Sequence, residues 1–281
     1  MIRKRISVAV IYFILFAVLI ITLFPVFYTF MSSLKTPIEI LVSGKIMPEH
    51  PTFGNYISAW TSPELQVGRQ FINSTVYSVL NVLITIVIST MAGYVFAIGN
   101  FRMKKVVFGC FTFLMFVKLG GISIYPTFEI FDLLHLPINL YGLIFIHLFG
   151  VPIVNMYLVK GFVASIPYSL MEAATIDGCS FFGRFVRIIF PLLKPIVATI
   201  TILAFQGSWN DYIMPTVFTL TRPEQRTLIV GIMALKSSGG AASSWHLMLA
   251  GSIISLIPVL VVYIICNKYF VQEITAGAEK G

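Results

Sequence analysis

Residues 172–191 read EAATIDGCSFFGRFVRIIFP, a compact block of Glu, Asp, Gly and Arg between two apolar runs. The side of a membrane on which this block lies decides how the rest of the chain is read. The chain has 281 residues, of which 58% are hydrophobic and only 11% charged, where soluble domains carry roughly 25% charged residues. Mean hydropathy is +0.93, and the apolar residues fall in runs long enough to cross a bilayer, which takes about 20 residues. The class is an all-α, polytopic membrane protein.

Six transmembrane helices are expected, at about 6–31, 75–98, 106–124, 140–158, 195–205 and 247–266. The first follows Arg3, Lys4 and Arg5. It is longer than the apolar core of a cleaved signal peptide, which runs to about 7–15 residues, so it reads as an anchoring helix. The expected domain plan is this N-terminal helix over 1–31, an extracytoplasmic loop over 32–70 and a transmembrane core over 71–268. A cytoplasmic loop at 161–194 sits within the core, and a tail over 269–281 follows it.

Six spans place both termini on one side. Twelve of the 19 Lys and Arg residues fall there; the other side holds Lys35, Lys45, Arg69, Lys118, Arg222, Arg226 and Lys236. Basic residues near span ends favour the cytoplasm, so the termini and the 172–191 block read as cytoplasmic. The net charge of +8 is then a matter of topology and gives no reason to expect nucleic acid. Cys110, Cys179 and Cys266 are widely spaced, and the chain contains no GxxxxGK[ST] stretch with which to bind ATP itself. His50, His135, His147 and His246 have no metal-ligand spacing, and no nucleophile and base pair up as a membrane enzyme would need. A stand-alone secondary transporter or channel would call for internal repeats with broken spans, which the sequence does not display.

Locally, Ser169 and Glu172 have the S-x-x-E spacing of a capping box, and Gly178 suits a left-handed helix stop. Arg184 and Arg187 are three apart, as on one helical face, with Phe181, Phe185 and Ile188 on another. Two roles are open for Glu172: capping its own helix, or offering a charge to a partner. The arginines are equally open between membrane anchors and part of a docking surface, to which Ala173 and Ala174 would allow close approach.

The block resembles the EAA signature of bacterial ATP-binding-cassette importer permeases: EAA, three residues, Gly, nine residues, Ile, one residue, Leu, Pro. Glu172, Ala173, Ala174, Gly178, Ile188 and Pro191 match it, and Phe190 stands in place of Leu. The stretches SSLK at 32–35, FGNYISAW at 53–60, NS at 73–74, SWNDYIMP at 208–215, RTLIVGI at 226–232 and ITAGAEKG at 274–281 extend the likeness to the carbohydrate-importing branch. This resemblance implies a type I importer (MetI-like) fold in the bacterial plasma (inner) membrane. It implies a second permease subunit, two copies of a cytoplasmic ATPase, an extracytoplasmic solute-binding protein and a sugar substrate. No cofactor is expected in this chain, because ATP and Mg would be bound by the partner ATPase.

On the same resemblance, Glu172, Ala173, Ala174, Asp177, Gly178, Arg184, Arg187 and Pro191 form the ATPase-coupling site. Thr275, Gly277 and Lys280 are the expected tail contact, and the outer loop from about Pro223 to Trp245, which contains SSGGAASS at 237–244, is read as reaching the binding protein. Polar residues in or beside spans tend to face a cavity or a partner, which makes Asn73, Asn81, Lys118, Trp209, Asn210 and Asp211 candidates for the translocation path. Snorkelling of Lys118 and Asp211, and a belt position for Trp209 and Tyr212, are the competing readings.

Overall fold

Inside a bilayer every backbone N–H and C=O must find its partner within the protein, and the long apolar runs accordingly become helices. A computed structural model of the chain describes residues 2–62, 66–117, 120–237 and 241–278, and among these it contains helices and turns but no strand. The order is α1 Ile2–Ser33, α2 Pro37–Val42, α3 Gly54–Thr61, α4 Val67–Ile98, α5 Lys104–Phe116, α6 Ile124–Leu133, α7 Leu140–His147 and α8 Ile153–Ala164. It continues with α9 Tyr168–Ile176, α10 Phe181–Arg184, α11 Phe190–Leu192, α12 Lys194–Trp209, α13 Ile213–Phe218, α14 Leu228–Ser237 and α15 Ala241–Ala278.

Among the described residues three helices are long and apolar enough to span a membrane: Val10–Ser33, Val67–Ile98 and Ser244–Tyr269. Two bent pairs raise the number to five if each counts as one span: Ile153–Ala164 with Tyr168–Ile176, at 78°, and Phe181–Leu192 with Lys194–Trp209, at 77°. The six uninterrupted runs read from the sequence are thus not six uninterrupted helices. In the run at 106–124, α5 ends at Phe116 and a 3-10 turn follows over Gly120–Ser123; α5, with 13 residues, is about 20 Å long against a hydrocarbon core of about 30 Å. The run at 140–158 is interrupted between His147 and Ile153, where Gly150 and Pro152 lie outside any helix. The segment after Pro223, read as loop, contains α14.

The chain forms two compact units, residues 1–71 with 230–257, and residues 72–229 with 258–281. In the first, the turn after α1 is locked by polar groups. The Asn55 amide donates to the carbonyls of Ser33 and Lys35 at 2.7 and 2.8 Å, and Ser33 Oγ meets Tyr56 Oη at 2.6 Å. Lys35, itself buried, donates from Nζ to the carbonyl of Lys45. Thr36 caps α2 by accepting from the N–H of Glu39. Two of the stretches that carried the family likeness, SSLK and FGNYISAW, are therefore one hydrogen-bonded structure. Substituting Asn55→Leu strips two buried carbonyls of their donor, a loss worth about 1–3 kcal/mol. A lowered thermal midpoint of the detergent-solubilised protein is the expected result.

The second unit has two apolar cores. Tyr77, Phe131, Leu140, Leu143, Ile144 and Phe218 form one, built from α4, α6, α7 and α13. Tyr94, Val159, Val163, Met171, Phe185, Ile189, Leu193 and Ile200 form the other, joining α4, α8, α9 and α12. The 78° turn into α9 follows from Pro167, which disfavours helical backbone at the preceding residue and fixes its own φ. Pro191 has no N–H with which to continue the helix ladder. Just before it, over Phe185–Ile189, the helix widens into a π-turn in which Phe190 N–H reaches Phe185 O.

Candidate functional site

Helix α9 carries the EAA residues and begins earlier than the sequence suggests. Its N-cap is Pro167, with no side-chain cap, so Ser169 and Glu172 fall at the second and fifth helical positions. The capping-box reading is thereby overturned, because Pro167 opens the helix two residues before Ser169. The far end is as expected. Gly178 has φ +77°, Gly178 N–H donates to Thr175 O at 3.1 Å and Cys179 N–H to Ala174 O at 2.9 Å, the pair of bonds that makes a Schellman stop.

The two faces of α9 differ sharply. Met171 and Ala174 are 2% and 4% exposed, with Met171 in the α4–α8–α12 core. Glu172, Ala173, Ile176 and Asp177 lie open, and Ile176 is 86% exposed. The Glu172 carboxylate has no partner among the described residues. Ala173 alone of the alanine pair offers a small surface to an incoming chain.

After the stop, Arg184 folds back over α9. Its Nη1 donates to Thr175 Oγ1 at 2.9 Å, while the guanidinium carbon sits 5.8 Å from the centre of the Phe181 ring. Arg187, beyond the start of the π-turn, is exposed, so the two arginines do not share one environment. Pro191 lies just past the π-turn, inside α11. Tyr94 on α4 holds the whole block to the spans: its hydroxyl donates to Phe181 O at 3.1 Å, and its ring lies 4.6 and 5.2 Å from the rings of Phe181 and Phe185.

The path candidates have distinct surroundings. Asn73 donates from Nδ2 to the carbonyls of Glu224 and Arg226, both at 3.0 Å, and neighbouring Ser74 accepts from Leu228 N–H at 2.8 Å. These residues of the NS and RTLIVGI stretches clamp each other. Trp209 is 2% exposed and stacked on Phe205 at 5.3 Å. Asn210 is exposed and donates to Gln206 O at 3.0 Å. Asp211 accepts from Tyr77 Oη at 2.9 Å and from the backbone N–H groups of Ile213 and Met214. Tyr77 Oη also meets His147 Nε2 at 3.2 Å. Asn81 lines a cavity of about 240 Å³ together with Thr85, His147 and the segment Gly150 to Pro152. Lys118 lies outside the described residues. In the tail, Thr275 and Gly277 continue the backbone of α15, and Lys280 lies outside the described residues.

Residues 70–275 match the family of the binding-protein-dependent transport system inner membrane component. The chain belongs to this family. The permease is 30% identical to the arabinooligosaccharides transport system permease protein AraQ of Bacillus subtilis (strain 168) over 262 residues, 92% of this chain and 91% of that one. It is 31% identical to the galactooligosaccharides transport system permease protein GanQ of the same organism, over 100% of this chain and 98% of that one. Among solved structures it resembles a chain of a bacterial ABC transporter involved in the import of the acidic polysaccharide alginate. The TM-score there is 0.78 at 25% identity, covering 95% of this chain and 97% of that one. The permease is a transporter subunit and not an enzyme, and the ATPase is a separate partner.

Sequence reasoning passed over Tyr77, Thr85, Tyr94 and His147. A signal for two of them was present: Asn73, Tyr77, Asn81, Thr85 and Ser89 recur every fourth residue along an otherwise apolar helix, which gathers them on one slowly winding face. His147 and Tyr94 carry no such mark, because their partners come from distant parts of the chain.

Proposed function

We propose that the permease forms half of the translocation path of an ATP-driven sugar importer, with an oligosaccharide as cargo. A second permease subunit completes the path, two copies of a cytoplasmic ATPase bind ATP and Mg, and a solute-binding protein delivers the sugar from outside. The chain crosses the inner membrane six times, with α5 and the broken α7–α8 pair among the crossings, and both termini are cytoplasmic. The excess of Lys and Arg on the side of 102–105 and 160–194 supports that orientation. The carbohydrate names of its relatives support the cargo.

One observation carries the coupling role: α9 is a short helix, ended by the Gly178 stop, whose inner face is locked into the core of the spans while Glu172, Ala173, Ile176 and Asp177 face out. An ATPase that closes on ATP and grips this outer face biases the spans between inward-open and outward-open states, as differential binding to two states must. Arg184 and Arg187 frame the same docking surface, Gly178 and Pro191 set its turns, and Asn73, Asn81, Lys118, Trp209, Asn210 and Asp211 belong to the path side. Thr275, Gly277 and Lys280 make a second contact with the ATPase.

Three experiments test this reading. Affinity isolation of the permease from membranes is expected to bring down a second permease and an ATPase, and a chain truncated after Phe270 is expected to support less ATP-driven uptake. Uptake of labelled arabino- and galactooligosaccharides in proteoliposomes is expected to need ATP and the binding protein. Uptake by this chain alone, without ATP, would identify a stand-alone transporter or channel instead.

A further inference from the structure

We infer that the cavity between α4 and the α7–α8 break is a binding site for one sugar ring, with Asn81, Thr85 and His147 supplying the hydrogen bonds. This rests on the sugar-importer reading and adds to it a place where this subunit touches the cargo. The cavity of about 240 Å³ is smaller than the roughly 300–1,000 Å³ of sites for drug-sized ligands, which suits a single ring and excludes a whole oligosaccharide.

Three observations converge on the site. The first is depth. Asn81 stands about halfway along α4, about 20 Å from its start at 1.5 Å per residue, where polar groups are costly unless they serve a cavity or a partner. The second is the backbone. Gly150, Val151 and Pro152 leave the helix at that wall of the cavity, and non-helical backbone at membrane depth persists where it lines a polar cavity or is buried in protein. Helix α8 opens there on Pro152 without a side-chain cap, so its first N–H groups are open to a ligand oxygen.

The third is how the side chains are held. Asp211, acceptor-only when ionised, accepts the hydrogen bond of the Tyr77 hydroxyl at 2.9 Å, so the Tyr77 oxygen in turn accepts from His147 Nε2 at 3.2 Å. This relay fixes the imidazole tautomer and leaves Nδ1 as an acceptor. Thr85 donates to Asn81 Oδ1 at 3.4 Å, which leaves the Asn81 amide N–H groups as donors. The cavity thus offers donors and an acceptor, and among the described residues no Asp, Glu, Lys or Arg lines it. Hydroxyl groups, each both donor and acceptor on a neutral ring, fit that lining; a carboxylate or ammonium would enter without a counter-charge. Tyr77 and Asp211 act as positioning residues behind His147.

The test uses the complete transporter in proteoliposomes with labelled arabinotriose, galactobiose and raffinose, measuring uptake and binding-protein-stimulated ATP hydrolysis side by side. Thr85→Val and Asn81→Leu are expected to lower uptake about tenfold, the worth of one lost hydrogen bond to cargo, with ATP hydrolysis retained and sugar moved per ATP reduced. Thr85→Ser, which keeps the hydroxyl, is expected to restore uptake. Unchanged uptake in both variants overturns the site, as does a loss of uptake that tracks loss of ATP hydrolysis or of complex assembly, since either marks a structural role only. If the wild-type complex moves none of the three sugars, the sugar-importer reading falls and the site falls with it; a working wild type with indifferent variants sinks the site alone.

Discussion

Substituting Glu172→Lys is expected to leave the permease folded and inserted while abolishing ATP-driven uptake. The side chain is exposed and has no partner among the described residues, and surface substitutions of that kind shift stability by only about 0.5 kcal/mol either way. At a docked interface the effect is much larger. Reversing a charge that a partner neutralises costs about 2–5 kcal/mol, roughly a thirtyfold to several-thousandfold loss of affinity. Membrane abundance of the variant should match the wild type, whereas co-isolation of the ATPase and uptake should both fall to background. Ser169→Ala is the companion control. Because α9 is opened by Pro167 and not by Ser169, this variant should behave as the wild type, whereas loss of a genuine cap would cost about 1 kcal/mol. A fully active Glu172→Lys permease would show that the exposed face of α9 is not the handle.

The other large effect is expected at Gly93. A Cβ added there would lie 2.5 Å from Val159 Cγ1, 2.6 Å from Val159 Cβ and 3.0 Å from the backbone nitrogen of Lys160. Helices α4 and α8 approach this closely only because the position has no side chain, the use that small residues have in membrane helix packing. Gly93→Val forces the helices apart and opens the core around Tyr94, Val159 and Val163. Overpacking costs about 1–3 kcal/mol, and more here because backbone as well as side chain must shift. The expected result is a severalfold drop in detergent-stable protein with uptake lost in proportion. Gly93→Ala combined with Val159→Ala should recover much of it, since truncating Val159 removes the nearest atoms. On the same helix α8, Gly161 has nothing within 4 Å of the corresponding position, and Gly161→Ala should be silent. Equal tolerance at both glycines would mean that α4 and α8 do not pack in this way.

How far each feature was legible depends on the range of the force behind it. The Gly178 stop was readable because it depends on one residue's φ and on bonds spanning five residues. The opening of α9 was misread because S-x-x-E spacing is common, whereas Pro167 acts directly on the backbone. The interruptions at 148–152 were hidden inside apolar runs, since hydropathy measures only what faces lipid or core and is blind to where a helix breaks. The arginine pair was drawn on an α-helical wheel, and the π-turn at Phe185–Ile189 changed the wheel.

By itself the sequence determined the class and the family signature. Apolar content and run length require a helical membrane protein, and the EAA spacing with its companion stretches points to the importer permeases. Each of these is written in neighbouring residues or in bulk composition, so it survives without coordinates. Tertiary structure alone decided which face of α9 is free, that Glu172 is not spent on its own helix, and that Tyr77 joins His147 and Asp211 across 70 and 134 residues of chain. Such pairings are set by how helices pack, and the free energy that selects them comes from shape and desolvation at contacts between distant segments.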